Sequence, residues 1–212
     1  MAKRSKSSHR WLARQRRDTY GRRAADEGLG SRAYFKLQQL DLRFRFTKAR
    51  SAVLELGAAP GGWTRYLAER LPGAKIVACD RLAMTPPRGV TFIEGDVAQQ
   101  AFETALDAAC PNGGFDLVLS DMAPNSSGNR VHDQAMAMEL FEIMRQTADK
   151  RLKHGGHMVV KMFQGEGMDA SVTDLRGCFE RIAVAKPEAS RTSSREVYLV
   201  ALTKVAGSSG VE

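Results

Sequence analysis

The residues with the clearest chemical potential in this 212-residue chain sit where an apolar run gives way to small residues. Val53-Leu54-Glu55-Leu56 reads as a buried strand, and Gly57-Ala58-Ala59-Pro60-Gly61-Gly62-Trp63 reads as a turn that opens a helix. In a wound α/β sheet this is where ligands bind. The helix beyond the strand offers unpaired N–H groups, and small residues let a ligand approach the backbone closely. The order departs from the dinucleotide pattern G-x-G-x-x-G, because Gly57 is followed by Ala58, Ala59 and Pro60. A methionine-derived cofactor suits the turn better, since its aminocarboxyl end needs donors and it has no pyrophosphate to cradle. Two carboxylates extend the pattern. Asp80 follows an apolar run 23 positions after Gly57, near the roughly 20-residue interval of a ribose-holding carboxylate. Asp96 follows the next run, where it could accept from an adenine amine. Read singly, the turn needs no ligand and each Asp could be a cap; together on one crevice edge they are better explained by an adenosine. Trp63 either packs near that cofactor or covers the sheet.

Three further residues fall at strand ends or inside a strand. Asp121 ends the run 115–120, Lys161 lies within 157–163 and Glu196 starts 196–203, so adjacent strands can turn all three toward one crevice. A lysine inside an apolar strand is costly to bury unless it is paired, which makes Lys161 the most informative of them. The alternative is a lysine whose stem packs while its ammonium reaches water.

The elements that must position these groups follow an alternating order. Segment 31–42 carries Ala33, Tyr34, Leu37 and Leu40 at helical spacing behind Ser31, and Lys36 lies on that helix. β-type runs then alternate with helical stretches: 52–56 and 63–71; 75–79; 90–94 and 98–109; 115–120 and 132–152; 157–163 and 168–178. The last two runs, 181–186 and 196–203, have only a loop between them. The expected fold is a doubly wound α/β sheet of the Rossmann-like kind, mostly parallel, with one antiparallel strand near the C-terminal edge. The expected organisation is a mobile basic arm over 1–30, one domain over 31–206 and a flexible tail over 207–212.

Charge is distributed unevenly. Residues 1–50 hold 15 Lys/Arg against 4 Asp/Glu, whereas 51–212 hold 17 against 20. A basic end on a slightly acidic body is the footprint of a segment that grips a polyanion, with Arg10, Arg14, Arg16, Arg17, Arg22 and Arg23 as the candidate RNA contacts. The alternative is a solvated, solubilising tail, and the polyanion-binding arm is the preferred reading. Cys79, Cys110 and Cys178 lie far apart without a C-x-x-C pair, and His154 and His157 lack ligand partners at suitable spacing, so neither a disulfide framework nor a metal site is expected. No apolar run is long enough to span a bilayer, and the N-terminus has no secretory signal. A cytoplasmic protein is expected, with monomer as the default.

Five blocks in order carry a resemblance: 31–37 (SRAYFKL), 56–63 (LGAAPGGW), 120–125 (SDMAPN), 159–167 (VVKMFQGEG) and 186–200 (KPEASRTSSREVYLV). The chain resembles the FtsJ family of ribosomal RNA 2′-O-methyltransferases across nearly its whole folded span. The resemblance implies a catalytic Lys-Asp-Lys-Glu tetrad at Lys36, Asp121, Lys161 and Glu196, with Lys161 as proton acceptor. It implies S-adenosylmethionine as cofactor, held by Gly61, Trp63, Asp80, Asp96 and Asp121. It also implies a uridine of large-subunit rRNA as substrate, presented by the 50S particle.

The reaction so implied displaces a methyl group from a sulfonium with a ribose hydroxyl that loses its proton. Lowering a lysine pKa by ~3 to make a neutral base at pH 7 takes about 4 kcal/mol. Sequence leaves open whether Lys161 is that base or a cation that stabilises the developing alkoxide. The Asp121-Met122-Ala123-Pro124 stretch stands where many amino-methylating enzymes carry Asn-Pro-Pro-Tyr, which favours an oxygen acceptor. The competing readings are a non-catalytic ribosome-assembly factor, a nicotinamide-dependent oxidoreductase, and a transfer RNA or cap 2′-O-methyltransferase.

Overall fold

The computed structural model describes residues 18–207. Its centre is a seven-stranded sheet of β1 (Ala52–Leu56), β2 (Lys75–Asp80), β3 (Val90–Glu94), β4 (Phe115–Ser120), β5 (Leu152–Phe163), β6 (Phe179–Ala185) and β7 (Glu196–Lys204). The spatial order is β3-β2-β1-β4-β5-β7-β6. Strands β1 to β5 pair in parallel, and β7 lies antiparallel between β5 and β6. The doubly wound sheet with one antiparallel strand near its edge is therefore present as expected.

The helices are α1 (Thr19–Asp26), α2 (Ala33–Phe44), α3 (Gly62–Arg70), α4 (Gln100–Ala109), α5 (Arg130–Arg151) and α6 (Met168–Leu175). Both faces of the sheet are covered, so its central strands read as continuous apolar runs. Leu54, Leu56, Val118, Met158 and Val160 point to one face, where Phe141 and Met144 of α5 meet them. Val53, Leu117, Val159, Tyr198 and Val200 point to the other, under Leu37 and Leu40 of α2 and Trp63 and Leu67 of α3. Each fully buried Leu or Val side chain stabilises the fold by roughly 1.5–3 kcal/mol over its exposed state.

Strand alternation assigns the chemistry-bearing residues to the second face. Lys161 shares it with Val159, and Glu196 shares it with Tyr198 and Val200. The strand order reverses between β1 and β4, and the carboxyl ends of these two strands frame the crevice of a doubly wound sheet. There the Asp121 N–H donates to the Leu56 carbonyl at 3.1 Å, tying the two ends together.

One boundary differs from the sequence expectation. The structure has helix α1 within the span read as a mobile arm. Asp18 caps it, its Oδ1 accepting from the Gly21 N–H at 2.7 Å. Ala24, with Leu29, Phe35 and Ala189, forms a small apolar cluster against which Tyr20 packs. The Arg32 guanidinium pairs with Asp18 at 2.7 Å and donates to the Ala189 carbonyl, which clamps the helix to the loop before β7. Arg22 and Arg23 are exposed on this helix, Arg23 paired with Glu27 at 2.6 Å. Arg10, Arg14, Arg16 and Arg17 lie outside the described residues, as does all of the expected tail beyond Gly207. Two smaller differences also have local causes. Helix α5 begins at Arg130 because the Asn129 side chain accepts from the Val131 and His132 N–H groups. Strand β5 reaches back to Leu152, which pairs with Phe115 across a register shift.

Candidate active site

Two lysine–carboxylate pairs meet at the end of the sheet. The Lys161 Nζ lies 2.7 Å from Asp121 Oδ1 and donates to the Asp121 carbonyl at 2.7 Å. The Lys36 Nζ lies 2.7 Å from Glu196 Oε1. All four side chains are largely buried, with between 8% and 16% of their surface exposed, so the pairing offsets a desolvation cost that isolated charges could not bear. The structure thus brings together Lys36, Asp121, Lys161 and Glu196.

Tyr198 joins the pairs. It is the register partner of Lys161, and its hydroxyl donates to Asp121 Oδ1 at 2.7 Å. The Lys36 ammonium stands 5.9 Å from the centre of its ring. Burial, then the Asp121 and Glu196 charges, push the phenol well above its ordinary range, so it remains a donor at neutral pH. Burial also pushes the Glu196 carboxyl upward, but the Lys36 ammonium beside it outweighs this and holds the group below its usual value. Sequence reasoning passed over Tyr198; its place two residues after Glu196, on the same strand face, was the available signal.

A cavity of about 450 Å³ opens beside the pairs. Gly57, Asp80, Asp96 and Asp121 line it, with Met122 and Val97 as apolar wall and Met136 and Leu140 contributed by α5. The α5 residues carried no sequence signal, because they sit far from the other wall residues along the chain. Asp80 Oδ2 accepts from the Ala59 N–H and Oδ1 from the Leu82 N–H, both at 2.8 Å, so its carboxylate also shapes the turn. Asp96 Oδ1 accepts from the Ala98 N–H at 3.0 Å. A carboxylate has about four acceptor sites, which leaves capacity on each for hydroxyl or amine donors of a ligand. Cys79, also on the wall, has its thiol pushed up by burial to about 12 and is unreactive.

Gly57 explains its own residue type. Its φ is +77°, and a Cβ there would stand 2.7 Å from the Met122 nitrogen. Only glycine lets the turn after β1 pass the segment after β4 at this distance.

Gly61 and Trp63 are placed differently from the other expected cofactor residues. Neither is among the residues lining the cavity. Gly61 caps α3 in a left-handed conformation with φ +100°. The Trp63 side chain is 1% exposed and packs its ring 5.6 Å from that of Tyr198, beneath the lysine–carboxylate pairs. The structure therefore does not bring the indole to the cavity; the reason is that a large apolar side chain in the first turn of α3 falls onto the sheet. What this segment can offer a ligand is backbone, since the first N–H groups of a helix have no intrahelical partner.

Beneath the turn lies Glu55, a buried carboxyl that sequence reasoning left unassigned. It is wholly inaccessible, accepts the Thr64 hydroxyl at 2.7 Å on Oε2, and has no partner on Oε1. Burial raises its pKa to about 8, the Asp121 and Asp80 charges adding to the effect and the Thr64 hydrogen bond opposing it.

The donor set fits S-adenosylmethionine. Carboxylates line a mostly apolar cavity at the switch point of the sheet, beside a helix N-terminus and a turn held open by Gly57.

Comparison with known proteins agrees with this geometry. Residues 29–204 match the FtsJ-like methyltransferase family. The ribosomal RNA large subunit methyltransferase E of Stenotrophomonas maltophilia strain K279a is 44% identical over 199 residues, 93% of this chain and 95% of that protein. The enzyme of the same name from Legionella pneumophila strain Corby is also 44% identical, over 93% of this chain and 97% of its own. Among solved structures, a Plasmodium falciparum protein described as a ribosomal RNA methyltransferase superposes with a TM-score of 0.76 at 29% identity, covering 83% of this chain and 98% of that one. A fibrillarin/Nop5p complex chain, at 15% identity and a TM-score of 0.55, shares the fold alone. By sequence, sheet order and site, the chain is a methyltransferase and belongs to the FtsJ-like methyltransferase family.

Proposed function

We propose that this enzyme transfers a methyl group from S-adenosylmethionine to the ribose 2′-oxygen of a uridine in 23S rRNA, within the 50S subunit. The observation that carries the reading is the meeting of the Lys161–Asp121 and Lys36–Glu196 pairs around Tyr198, with Asp121 also forming part of the cavity wall. S-adenosylmethionine supplies an electrophilic methyl group on a positively charged sulfur. Gly57 opens the turn, Asp80 would take the ribose hydroxyls and Asp96 the adenine amine, and the Gly61 and Trp63 segment, set back from the cavity wall, would hold the turn in shape. Asp121 orients Lys161, which has two donors on Asp121 and one left for the acceptor oxygen. A fixed ammonium there would stabilise the negative charge that develops on the oxygen as its proton passes to solvent water, the new carbon–oxygen bond forming as the methyl–sulfur bond breaks. Lys36 and Glu196 hold the opposite wall, and the fixed arrangement brings the oxygen into line for displacement.

The arm supports an RNA acceptor. Its root, Asp18, is paired with Arg32 and lies 3.9 Å from Arg191, in the loop that leads to Glu196. Arg10, Arg14, Arg16 and Arg17, in the sequence before Asp18, with Arg22 and Arg23 would neutralise rRNA phosphates. The relatives named above as large-subunit rRNA methyltransferases support the particle assignment. An intact tetrad argues against a purely binding role. We place the enzyme in the cytoplasm as a monomer; among the described residues no helix is long and apolar enough to cross a membrane.

The test is transfer of labelled methyl from S-adenosylmethionine to 50S, 30S and transfer RNA substrates isolated from cells lacking the modification. Label confined to 50S supports the reading; label on transfer RNA alone keeps the chemistry and overturns the substrate.

A further inference from the structure

A second, smaller hollow lies next to the cofactor cavity, on the far side of Pro124. It has a volume of about 230 Å³, and Pro124, Arg130, Asp133, Phe163, Ser193 and Arg195 are among its walls. Pro124 is a wall of both hollows, and the consecutive α5 residues His132 and Asp133 face one each. Phe163 follows Lys161 by two residues on the same face of β5 and pairs in register with Glu196, which Arg195 directly precedes. A group seated in this hollow therefore has the lysine–carboxylate pairs on one side and the cofactor cavity across the Asp121–Asn125 segment.

The lining is that of a nucleotide site. Phe163, half-buried, supplies a flat apolar face. Arg195 is anchored by its Nη1, which donates to the Gln164 carbonyl at 3.1 Å, while the Gln164 N–H donates to the Arg195 carbonyl at 3.0 Å; its other guanidinium donors are left for a ligand. Arg130 is the first residue of α5, where a cation opposes the helix dipole, and it makes no ion pair with any described residue. A charge that disfavours its own helix and is left unpaired beside a hollow points to an anion from outside. Asp133 carries the opposing charge, but Ser126 Oγ, Ser127 N–H and Ser127 Oγ donate to it at 3.1, 2.8 and 2.7 Å, and His132 lies 3.9 Å away. The two guanidiniums thus exceed the one carboxylate, which is already satisfied.

Resting on the functional reading above, we propose that this hollow seats the nucleotide bearing the acceptor ribose. Arg130 and Arg195 hold the adjoining phosphodiester and Phe163 packs against the nucleotide. The hollow admits one nucleotide turned out of its helix, not a stacked duplex.

The experiment is methyl-transfer kinetics with Arg130→Gln and Arg195→Gln on unmodified 50S particles over a range of salt, with S-adenosylmethionine affinity measured by calorimetry as the control for an intact fold. The expected result is a KM for 50S raised about tenfold or more in each variant. The slope of log KM against log salt should shrink by close to one for each phosphate that is no longer neutralised, with cofactor affinity unchanged. Wild-type KM and salt slope in both variants would overturn the proposal while leaving the functional reading standing. A wild-type enzyme that binds cofactor yet labels no 50S would overturn the functional reading itself.

Discussion

Replacing Glu55 by glutamine should change how stability depends on pH. In the folded protein burial holds the carboxyl near 8, whereas its ordinary value is 4.5. Between these values the native state keeps a proton that the unfolded chain releases. The stability tied to this group is therefore fully present below about 4.5 and declines as pH rises toward 8, by about 1.4 kcal/mol per pH unit. Glutamine is neutral throughout and keeps an oxygen for the Thr64 hydroxyl, so the variant lacks that decline. Its second amide hydrogen replaces a hydroxyl and adds a cost of roughly 1–3 kcal/mol that does not vary with pH. The informative quantity is consequently the slope of the difference. From pH 5.5 to 7.5 the variant should gain about 3 kcal/mol on wild type, or roughly 6–12 °C in Tm for a chain of this size. Urea unfolding of both proteins across that range reads it directly, because other titrating groups cancel in the difference. A difference that stays constant across the range would mean Glu55 is ionised in the folded state, and the burial argument for a neutral carboxyl beneath the cofactor turn would fail.

Three other substitutions probe the site and its approach. Gly57→Ala places a methyl 2.7 Å from the Met122 nitrogen at a positive φ, and should abolish cofactor binding by calorimetry while costing on the order of 1–3 kcal/mol in thermal unfolding. Tyr198→Phe removes one donor from Asp121, and on the order of a tenfold fall in kcat is expected with near-normal cofactor affinity; unchanged kcat would remove Tyr198 from the orientation of Asp121. Changing Arg10, Arg14, Arg16 and Arg17 to serine should weaken 50S binding and flatten its salt dependence, so an unaltered slope would count against the arm.

How much was legible follows from which signals are local. The central strands could be read because burial on both faces makes them largely apolar runs, as in Ala52–Leu54 or Leu117–Leu119. Asp121 and Glu196 could be placed near one crevice because they flank strands, and Lys161 because it lies inside one, whereas Lys36, on a helix, entered only through the family resemblance. Helix α1 was missed because its core-facing signal is only Tyr20 and Ala24, within a segment dominated by arginine. Trp63 shows the limit of motif reading: the motif puts it beside the cofactor turn, whereas packing sends its ring under Tyr198. Lysines show the same limit. Lys204, the last residue of β7, is also buried, yet it donates to the Ala148, Asp149 and Leu152 carbonyls at the end of α5. Lys161 differs from it not in pattern but in what stands opposite, the Asp121 carboxylate at the mouth of a cavity.

The claim that this cluster methylates a ribose oxygen is tested most directly by nucleoside mass spectrometry of rRNA from unmodified 50S particles treated with S-adenosylmethionine and either wild-type enzyme or Lys161→Ala. Wild type should yield 2′-O-methyluridine, and the variant should bind cofactor normally while forming it about 10²–10³-fold more slowly or worse. A methyl group found on a base, or full activity in the variant, would contradict the account.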